Sequence, residues 1–326
     1  MPESPTEDDR AAAAFTRAVL RHRADVRGRL RAVFDQRGFV EVDTPVLSSE
    51  VVPEAHIDPI VVHVDGPGSA ESYLQTSPEA LMKRLLAAGA GPIYQFARSF
   101  RAGERSDHHD VEFVLLEWYA PGTALDDSAH LVEALCAAVL GTAGIDRIGC
   151  AEAFRRHAAI DPFEASAADW AAAAERSGVV APHGHAPAPA EWFDIFLSEI
   201  VGPHLGHERP TVLEGWPVEQ AAFARIDPTD PRRALRFELF VRGVELANGW
   251  EEDPRRDELE RRIAAANRIR AAAGRRRLPV PARLLAAHGP AMPHGVGAAL
   301  GFDRLAMLAA GSSSIDAVRC FSSRDA

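Results

Sequence analysis

The stretch RSFRAGERSDHHDVEF, residues 98–113, decides how the rest of the chain is read. Residues 93–100 and 112–119 are rich in aromatic and β-branched side chains and read as two strands. Residues 101–110 between them are polar or small, so the segment is a long antiparallel hairpin with a charged tip. Arg101 stands where the first strand ends; His109 and Phe113 stand where the second begins. An arginine at a strand end on a sheet floor can grip a phosphate through two parallel hydrogen bonds. The two flat side chains beside it offer faces for a base. A surface hairpin with a solvated tip has the same composition, so this stretch alone leaves both readings open.

Working outward, the apolar residues Phe15, Val19, Leu20, Val26, Leu30, Val33 and Phe34 recur at near-helical spacing and predict a helix over residues 11–36, stopped at Gly38. Residues 39–42 read as a short strand. Ser77-Pro78 opens a helix over 79–90. Further helices are expected over 129–140, 166–176 with Ser166 as N-cap, and 192–201. The proline- and histidine-containing segment 180–190 reads as a flexible loop. Residues 236–241 and 244–247 form a strand pair turning at Arg242-Gly243, 257–273 a charged helix, and 297–301 a strand feeding a helix over 303–310 capped by Asp303. Long hairpins with flanking helices predict an α+β fold around an antiparallel sheet, not a doubly wound parallel one. Neither a phosphate loop nor a dinucleotide glycine fingerprint occurs, so a nucleotide would be held by another architecture.

The 326 residues are 47% apolar and 25% charged, ordinary for a globular chain, and are expected to form one domain, 1–326, with residues 1–12 disordered. With 36 basic and 47 acidic residues the formal charge is −11, which removes any default case for nucleic-acid binding. Cys136, Cys150 and Cys320 show no paired spacing, which fits a reducing compartment. The start of the chain is acidic rather than signal-like, and no apolar run reaches the ~18 residues of a membrane helix. A soluble cytoplasmic protein with no membrane partner is expected.

Two further segments carry chemistry. In VELANGWEE, residues 244–252, strict alternation puts Glu245 and Ala247 on one face with Leu246 and Asn248 on the other. A turn beyond Gly249 would return Glu252 toward Glu245, a carboxylate pair suited to Mg²⁺; two unrelated surface acids would look the same. In GAALGFDRL, residues 297–305, small residues allow close approach of a ligand to the strand. Arg304 falls in a first helical turn, where the dipole disfavours a cation unless an anion is near.

Taken in order, these three segments resemble the catalytic core of class II aminoacyl-tRNA synthetases, most closely the lysyl branch. Residues 41–45 (EVDTP) look like motif 1, 100–113 like motif 2, and Gly301-Phe302-Asp303-Arg304 like motif 3. Thr76-Ser77-Pro78-Glu79, Lys83-Arg84-Leu85, Leu116-Glu117-Trp118-Tyr119 and Glu245-Leu246-Ala247-Asn248-Gly249 resemble lysyl-branch features. The likeness runs from about residue 14 to the C-terminus. Within the branch the chain is most similar to the ligases that attach β-lysine to elongation factor P. Only about one helix precedes motif 1, leaving no room for an anticodon-binding barrel. Ala299 stands where lysyl-tRNA synthetases usually place glycine.

The resemblance implies an ATP-dependent ligase, homodimeric through motif 1, without anticodon contact. It would activate lysine or β-lysine as an adenylate and pass it to a lysine side chain of elongation factor P. Arg101 would hold the α-phosphate. Arg304 would meet the γ-phosphate and lie over the adenine, with Phe113 on the other face and His109 and Glu104 close by. Glu245 and Glu252 would bind Mg²⁺. Glu79 and Glu117 would take the substrate ammonium, supported by Ser77, Tyr119, Asn248 and Glu252, and the Ala299 methyl would favour an amine one carbon along. An adenylate-forming enzyme with another acceptor, or a catalytically silent ATP-binding paralogue, are the competing readings. Three positions depart from the motif 2 pattern: Gly103 replaces the adenine-contacting glutamate, and Asp110-Val111 replaces Asn-Pro, placing a negative charge near the phosphates. His56, His63 and His288 are expected at the surface or in packing.

Overall fold

Trp118, Leu116 and Val114 alternate with Tyr119, Glu117 and Leu115 along one strand, and that alternation separates the core of this protein from its ligand face. The computed structural model describes residues 7–65, 71–181 and 187–326, with side chains from residue 15 onward. The chain runs through α1 (Glu7–Asp35), β1 (Val40–Glu41), β2 (Leu47–Ser48), β3 (Ile60–His63), β4 (Glu71–Leu74), α2 (Glu79–Ala87), β5 (Ile93–Phe100), β6 (Glu112–Pro121) and α3 (Leu125–Leu140). It continues through β7 (Asp146–Gly149), α4 (Cys150–Ala158), α5 (Ala167–Ser177), α6 (Pro189–Phe196), β8 (Thr211–Pro217), β9 (Arg233–Val241) and β10 (Val244–Glu251). It closes with α7 (Arg256–Ala272), α8 (Ala282–Ala287), β11 (Gly295–Gly301) and α9 (Phe302–Ala309).

Eight strands form one sheet in the order β1-β5-β6-β11-β10-β9-β8-β7, antiparallel except for the parallel edge pairs β1–β5 and β7–β8. A small antiparallel sheet, β2-β4-β3, lies apart. The expected α+β architecture is therefore observed. Against one face of the large sheet, α1, α3 and α9 bury Leu30, Phe34, Val132, Leu135, Phe302 and Leu305 on Leu116, Trp118 and Leu300. Phe34 stacks on Tyr94 with ring centroids 4.4 Å apart. Full burial of each such side chain contributes about 1.5–3 kcal/mol. A second cluster wraps the β7–β8 edge, where Trp170, Phe193 and Phe196 pack with Trp216.

Several details differ from the sequence reading. The last two strands of the sheet, β8 and the edge strand β7, and the small sheet escape it, because the small sheet's strands and β7 have only two to four residues and β8 is buried almost throughout. Of the loop expected over 180–190, residues 182–186 lie outside the described ones, as do residues 1–6 of the expected disordered start; residues 7–12 begin α1. Ser166 does cap α5, accepting the Asp169 N–H at 3.3 Å. Asp303, expected as a cap, is not one: Gly301 takes that place. The Asp303 carboxylate instead accepts from Arg23 of α1 at 2.7 Å and from the Val114 N–H of β6 at 2.8 Å, fastening motif 3 to two neighbours.

Strict alternation fails in β10. Glu245 faces Phe240 and Ala247 faces Leu239, so Leu246 is an extra residue, a β-bulge. The bulge shifts the face by one position. Glu245, Asn248 and Trp250 consequently share the ligand side, which corrects the expected pairing of Glu245 with Ala247. Gly249 between them is required by packing: a Cβ there would lie 2.4 Å from the Ala298 Cβ and 2.6 Å from the Phe237 ring.

Candidate active site

A cleft of about 500 Å³ opens over the β6–β11–β10 floor. Arg101, Glu104, His109, Phe113, Glu245 and Arg304 line it toward the hairpin tip. Ser77, Glu79, Glu117, Tyr119, Asn248 and Ala299 line the rest. Of the site residues expected from sequence, Glu252 alone does not border it.

At the tip end, three acceptors aim the guanidinium of Arg304. It donates from Nη1 to the Glu245 carbonyl at 2.7 Å, from Nε to the His108 carbonyl at 3.2 Å, and from Nη2 to His109 Nε2 at 2.5 Å. Burial, reinforced by the Arg304 charge, pushes the His109 pKa down to about 4. The ring is therefore neutral near pH 7, and with Nε2 accepting, Nδ1 carries the hydrogen donated to the Ser106 hydroxyl at 2.7 Å. Arg101 packs over Phe113, 5.1 Å from the ring centroid, and its buried Nε has no hydrogen-bond partner. Guanidinium groups held this way, with donors left over, suit an anion in the cleft.

The departures at Gly103 and Asp110 in motif 2 have structural accommodations. Gly103 adopts φ +80°, a conformation that strains any side-chain-bearing residue, and the next residue, Glu104, turns into the cleft with a carboxylate oxygen 3.9 Å from Arg101 Nη1. Asp110 does not leave a free negative charge by the phosphates, as had been expected. Its carboxylate pairs with Arg319 Nη1 at 2.8 Å and accepts from the Ser323 N–H at 2.9 Å and the Val111 N–H at 2.8 Å. Those bonds hold its carboxyl below the usual range despite burial, and they fasten the hairpin tip to the C-terminal segment.

The opposite end is a buried acid cluster. Lys83 Nζ, 1% exposed, lies 2.6 Å from Glu79 Oε1 one helical turn back and 2.7 Å from Glu252 Oε2. The Tyr119 hydroxyl donates to Glu117 Oε1 at 2.7 Å, while Glu117 Oε2 is buried without a partner. Burial and the nearby Glu79 charge push the Glu117 carboxyl up to about 8. Three carboxyl groups thus face one cationic side chain. A buried carboxylate without a counter-charge is costly, so this end is built for a ligand that brings an ammonium group. The pH consequence follows in sign. A cation beside Glu117 favours its ionised form, so amine binding tightens as pH rises toward and through 8 and releases a proton. We expect the apparent affinity for the amino acid to improve from pH 6 to pH 8.5 in calorimetric titrations, with proton release. Glu117→Gln should flatten that dependence; an unchanged slope in the variant would assign it to another group.

Glu252 cannot share a cation with Glu245, which corrects the expected metal pair. The chain does not turn back after Gly249; β10 runs on to Glu251, and seven strand residues span about 23 Å. Glu252 belongs to the ammonium end through Lys83. The carboxylate that neighbours Glu245 is Glu238, opposite Asn248 on β9. Burial and then the Glu245 charge push the Glu238 carboxyl up to about 8, the mark of like charges sharing a space. That donor set, with phosphate oxygens, fits a divalent cation of the Mg²⁺ type.

Sequence reading missed Lys83, Glu238 and Arg236 as site residues. Arg236 donates from Nε to Asn248 Oδ1 at 3.2 Å, from Nη2 to Glu238 at 2.6 Å and from Nη1 to the Gln220 carbonyl at 2.6 Å, which leaves the Asn248 amide nitrogen toward the cleft. The available signals were the four-residue spacing of Lys83 from Glu79 and the two-residue spacing of Arg236 and Glu238. His288 is buried and bonded to the Leu284 carbonyl, while His56 and His63 are exposed.

Guanidinium groups at one end of an antiparallel floor and buried acids at the other define a class of adenylate-forming synthetases. Residues 10–325 match the model of the class II tRNA synthetases for D, K and N, and the chain belongs to that family. Among curated relatives, it is 40% identical over 311 residues to the elongation factor P–(R)-β-lysine ligase of Erwinia tasmaniensis, covering 93% of this chain and 94% of that one. The ligases of the same name from Edwardsiella ictaluri (40% over 308 residues, 94% and 95% covered) and Klebsiella pneumoniae (39% over 305 residues, 93% and 94% covered) are similarly alike.

Proposed function

We propose that this chain is an ATP-dependent ligase that activates (R)-β-lysine as its adenylate and transfers it to a lysine side chain of elongation factor P. The relatives' names support the substrate pair. The observation that carries the reading is one cleft that presents Arg101 and Arg304 at one end and Glu79 and Glu117 at the other, with Glu79 paired to the buried Lys83 that also holds Glu252.

In the first step the amino-acid carboxylate attacks the α-phosphorus and pyrophosphate leaves. Arg101 holds the α-phosphate and stabilises charge that grows on its oxygens; Arg304 holds the triphosphate tail, with the base between Phe113 and the Arg304 side chain. Glu245 and Glu238 would hold a divalent metal, which when bound neutralises phosphate charge. Positioning and electrostatics supply the rate, since no side-chain nucleophile is needed. In the second step the acceptor amine attacks the adenylate carbonyl and AMP leaves. Motif 1, residues 41–45 at the end of β1, would form a homodimer, and the reaction would run in the cytoplasm without tRNA anticodon contact.

Ala299 would set the position of the amine. It sits on β11 between Asn248 of β10 and Glu117 of β6 and lines the cleft, so its methyl occupies floor that an α-amino group would use. ATP–pyrophosphate exchange run in parallel with (R)-β-lysine and α-lysine tests this. The wild type should favour the β-isomer. Ala299→Gly should shift the preference toward α-lysine by about 10-fold or more, the scale of one methyl group. Exchange with neither amino acid would refute the proposed activity.

A further inference from the structure

Every residue that the resemblance assigned serves the first step, and none of them serves the second. At neutral pH the acceptor lysine arrives as an ammonium ion and cannot attack until it loses a proton. The cleft contains one carboxyl group without an assignment, Glu54, on the irregular segment between β2 and β3. Its carboxylate makes no hydrogen bond or ion pair among the described residues. The segment carrying it is nonetheless held firmly. Arg270 of α7, 1% exposed, donates from Nη1 to the carbonyls of Glu54 at 3.0 Å and Ile57 at 2.7 Å, and from Nη2 to Asp58 at 2.5 Å. The Asp58 carbonyl in turn accepts the Ala102 N–H of the motif 2 loop at 2.8 Å.

A free carboxylate on a clamped segment, facing the cleft, is built to act on something that enters. The charged groups around Glu54 locate it: Arg101 and Glu104 from the hairpin loop, Glu79 from α2 and Arg270 from α7. Arg101 marks the α-phosphate and Glu79 the amino-acid end. The bond to be broken in the second step lies between those two.

Resting on the function proposed above, we infer that Glu54 is the base that accepts the proton of the acceptor lysine as it enters to attack the adenylate. The lysine ε-ammonium gives one proton to the Glu54 carboxylate. The amine nitrogen then forms the new C–N bond at the adenylate carbonyl, the bond from that carbon to the phosphate oxygen breaks, and AMP takes the electron pair. The second amine proton leaves to the AMP phosphate as the amide forms. Burial first, against the counter-pull of Arg101, pushes the Glu54 carboxyl up to about 7, close to the operating pH at which a base works best.

The test separates the two steps. Adenylate is preformed on the full-length enzyme with (R)-β-lysine and ATP, then chased with elongation factor P or with hydroxylamine, an amine already neutral at pH 7. Glu54→Gln should slow transfer to elongation factor P by about 100-fold or more, the usual contribution of a general base, and the wild-type profile, which levels off above about pH 7 once Glu54 is ionised, should give way to a rate that keeps rising through pH 8 as free lysine amine forms. Hydroxylamine capture should proceed at the wild-type rate in the same variant, which shows the adenylate site intact. Glu54→Asp should restore part of the transfer rate. Wild-type transfer by Glu54→Gln would overturn the assignment. So would a variant whose defect lies in KM for the amino acid during exchange, since Glu54 would then be an ammonium ligand of the first step. If wild-type adenylate reacts with hydroxylamine but not with elongation factor P, the acceptor proposed above is wrong and this role falls with it.

Discussion

Arg304→Ala should reduce ATP–pyrophosphate exchange by about 10³-fold or more, the scale on which a positioned guanidinium acts in phosphoryl chemistry, while leaving the fold intact. The guanidinium is fixed by the Glu245 and His108 carbonyls and by His109, so its position is set before any ligand arrives. Arg304 also lies in the first turn of α9, where the helix dipole opposes a cation. The Glu245 carboxylate, 3.5 Å from Nη1, offsets that cost in part, and an anionic phosphate in the cleft would offset it further. A second readout accompanies the first. The Arg304 charge helps depress the His109 pKa, after burial, so in the variant His109 should titrate at higher pH by NMR. Exchange within tenfold of wild type would refute the phosphate role, and an unmoved His109 titration would refute the contact.

Lys83→Met should destabilise the protein by about 3–5 kcal/mol at pH 8, because it strands buried carboxylates that had a counter-charge. Lys83 is the single cation among the described residues bonded to both Glu79 and Glu252. The sign with pH is fixed by Glu252. Burial already raises its carboxyl, and Lys83 pulls it down. Without Lys83 the folded-state pKa climbs further above its unfolded value. The stability linked to that group is then present below the unfolded pKa and lost as pH rises through the folded one. The variant's deficit in thermal unfolding should therefore be largest at pH 8 and shrink toward pH 5. Adding Glu252→Gln to Lys83→Met should recover part of the loss. A single variant as stable as wild type at pH 8 would show that the cluster is not held by this charge balance.

Local periodicity and short motifs made much of the fold legible. α1, α2, the β5–β6 hairpin, the β9–β10 pair and the β11–α9 joint each carry their signal within about a dozen residues, and each was expected. The order of Arg101, Glu245 and Arg304 along the chain pointed to a shared site, and the cleft brings them together. Two of the failures share a reason: the deciding interaction joined residues far apart. Asp303 read as a cap because its immediate neighbours fit one; Arg23 and Val114, distant in sequence, recruit it instead. Asp110 read as a liability because Arg319 and Ser323 could not be placed beside it.

The amino-acid sequence by itself determined which elements form and which chemical groups they carry toward a ligand, since apolar spacing and turn residues act over a single turn or strand. The tertiary structure alone decided which acid serves which end of the cleft. One extra residue in β10 turned Glu245 and Asn248 to the same side. Lys83 claimed Glu252 for the ammonium end, and Glu238 came up beside Glu245 in its place. Charge partnerships depend on distances through space, and no spacing along a chain encodes those.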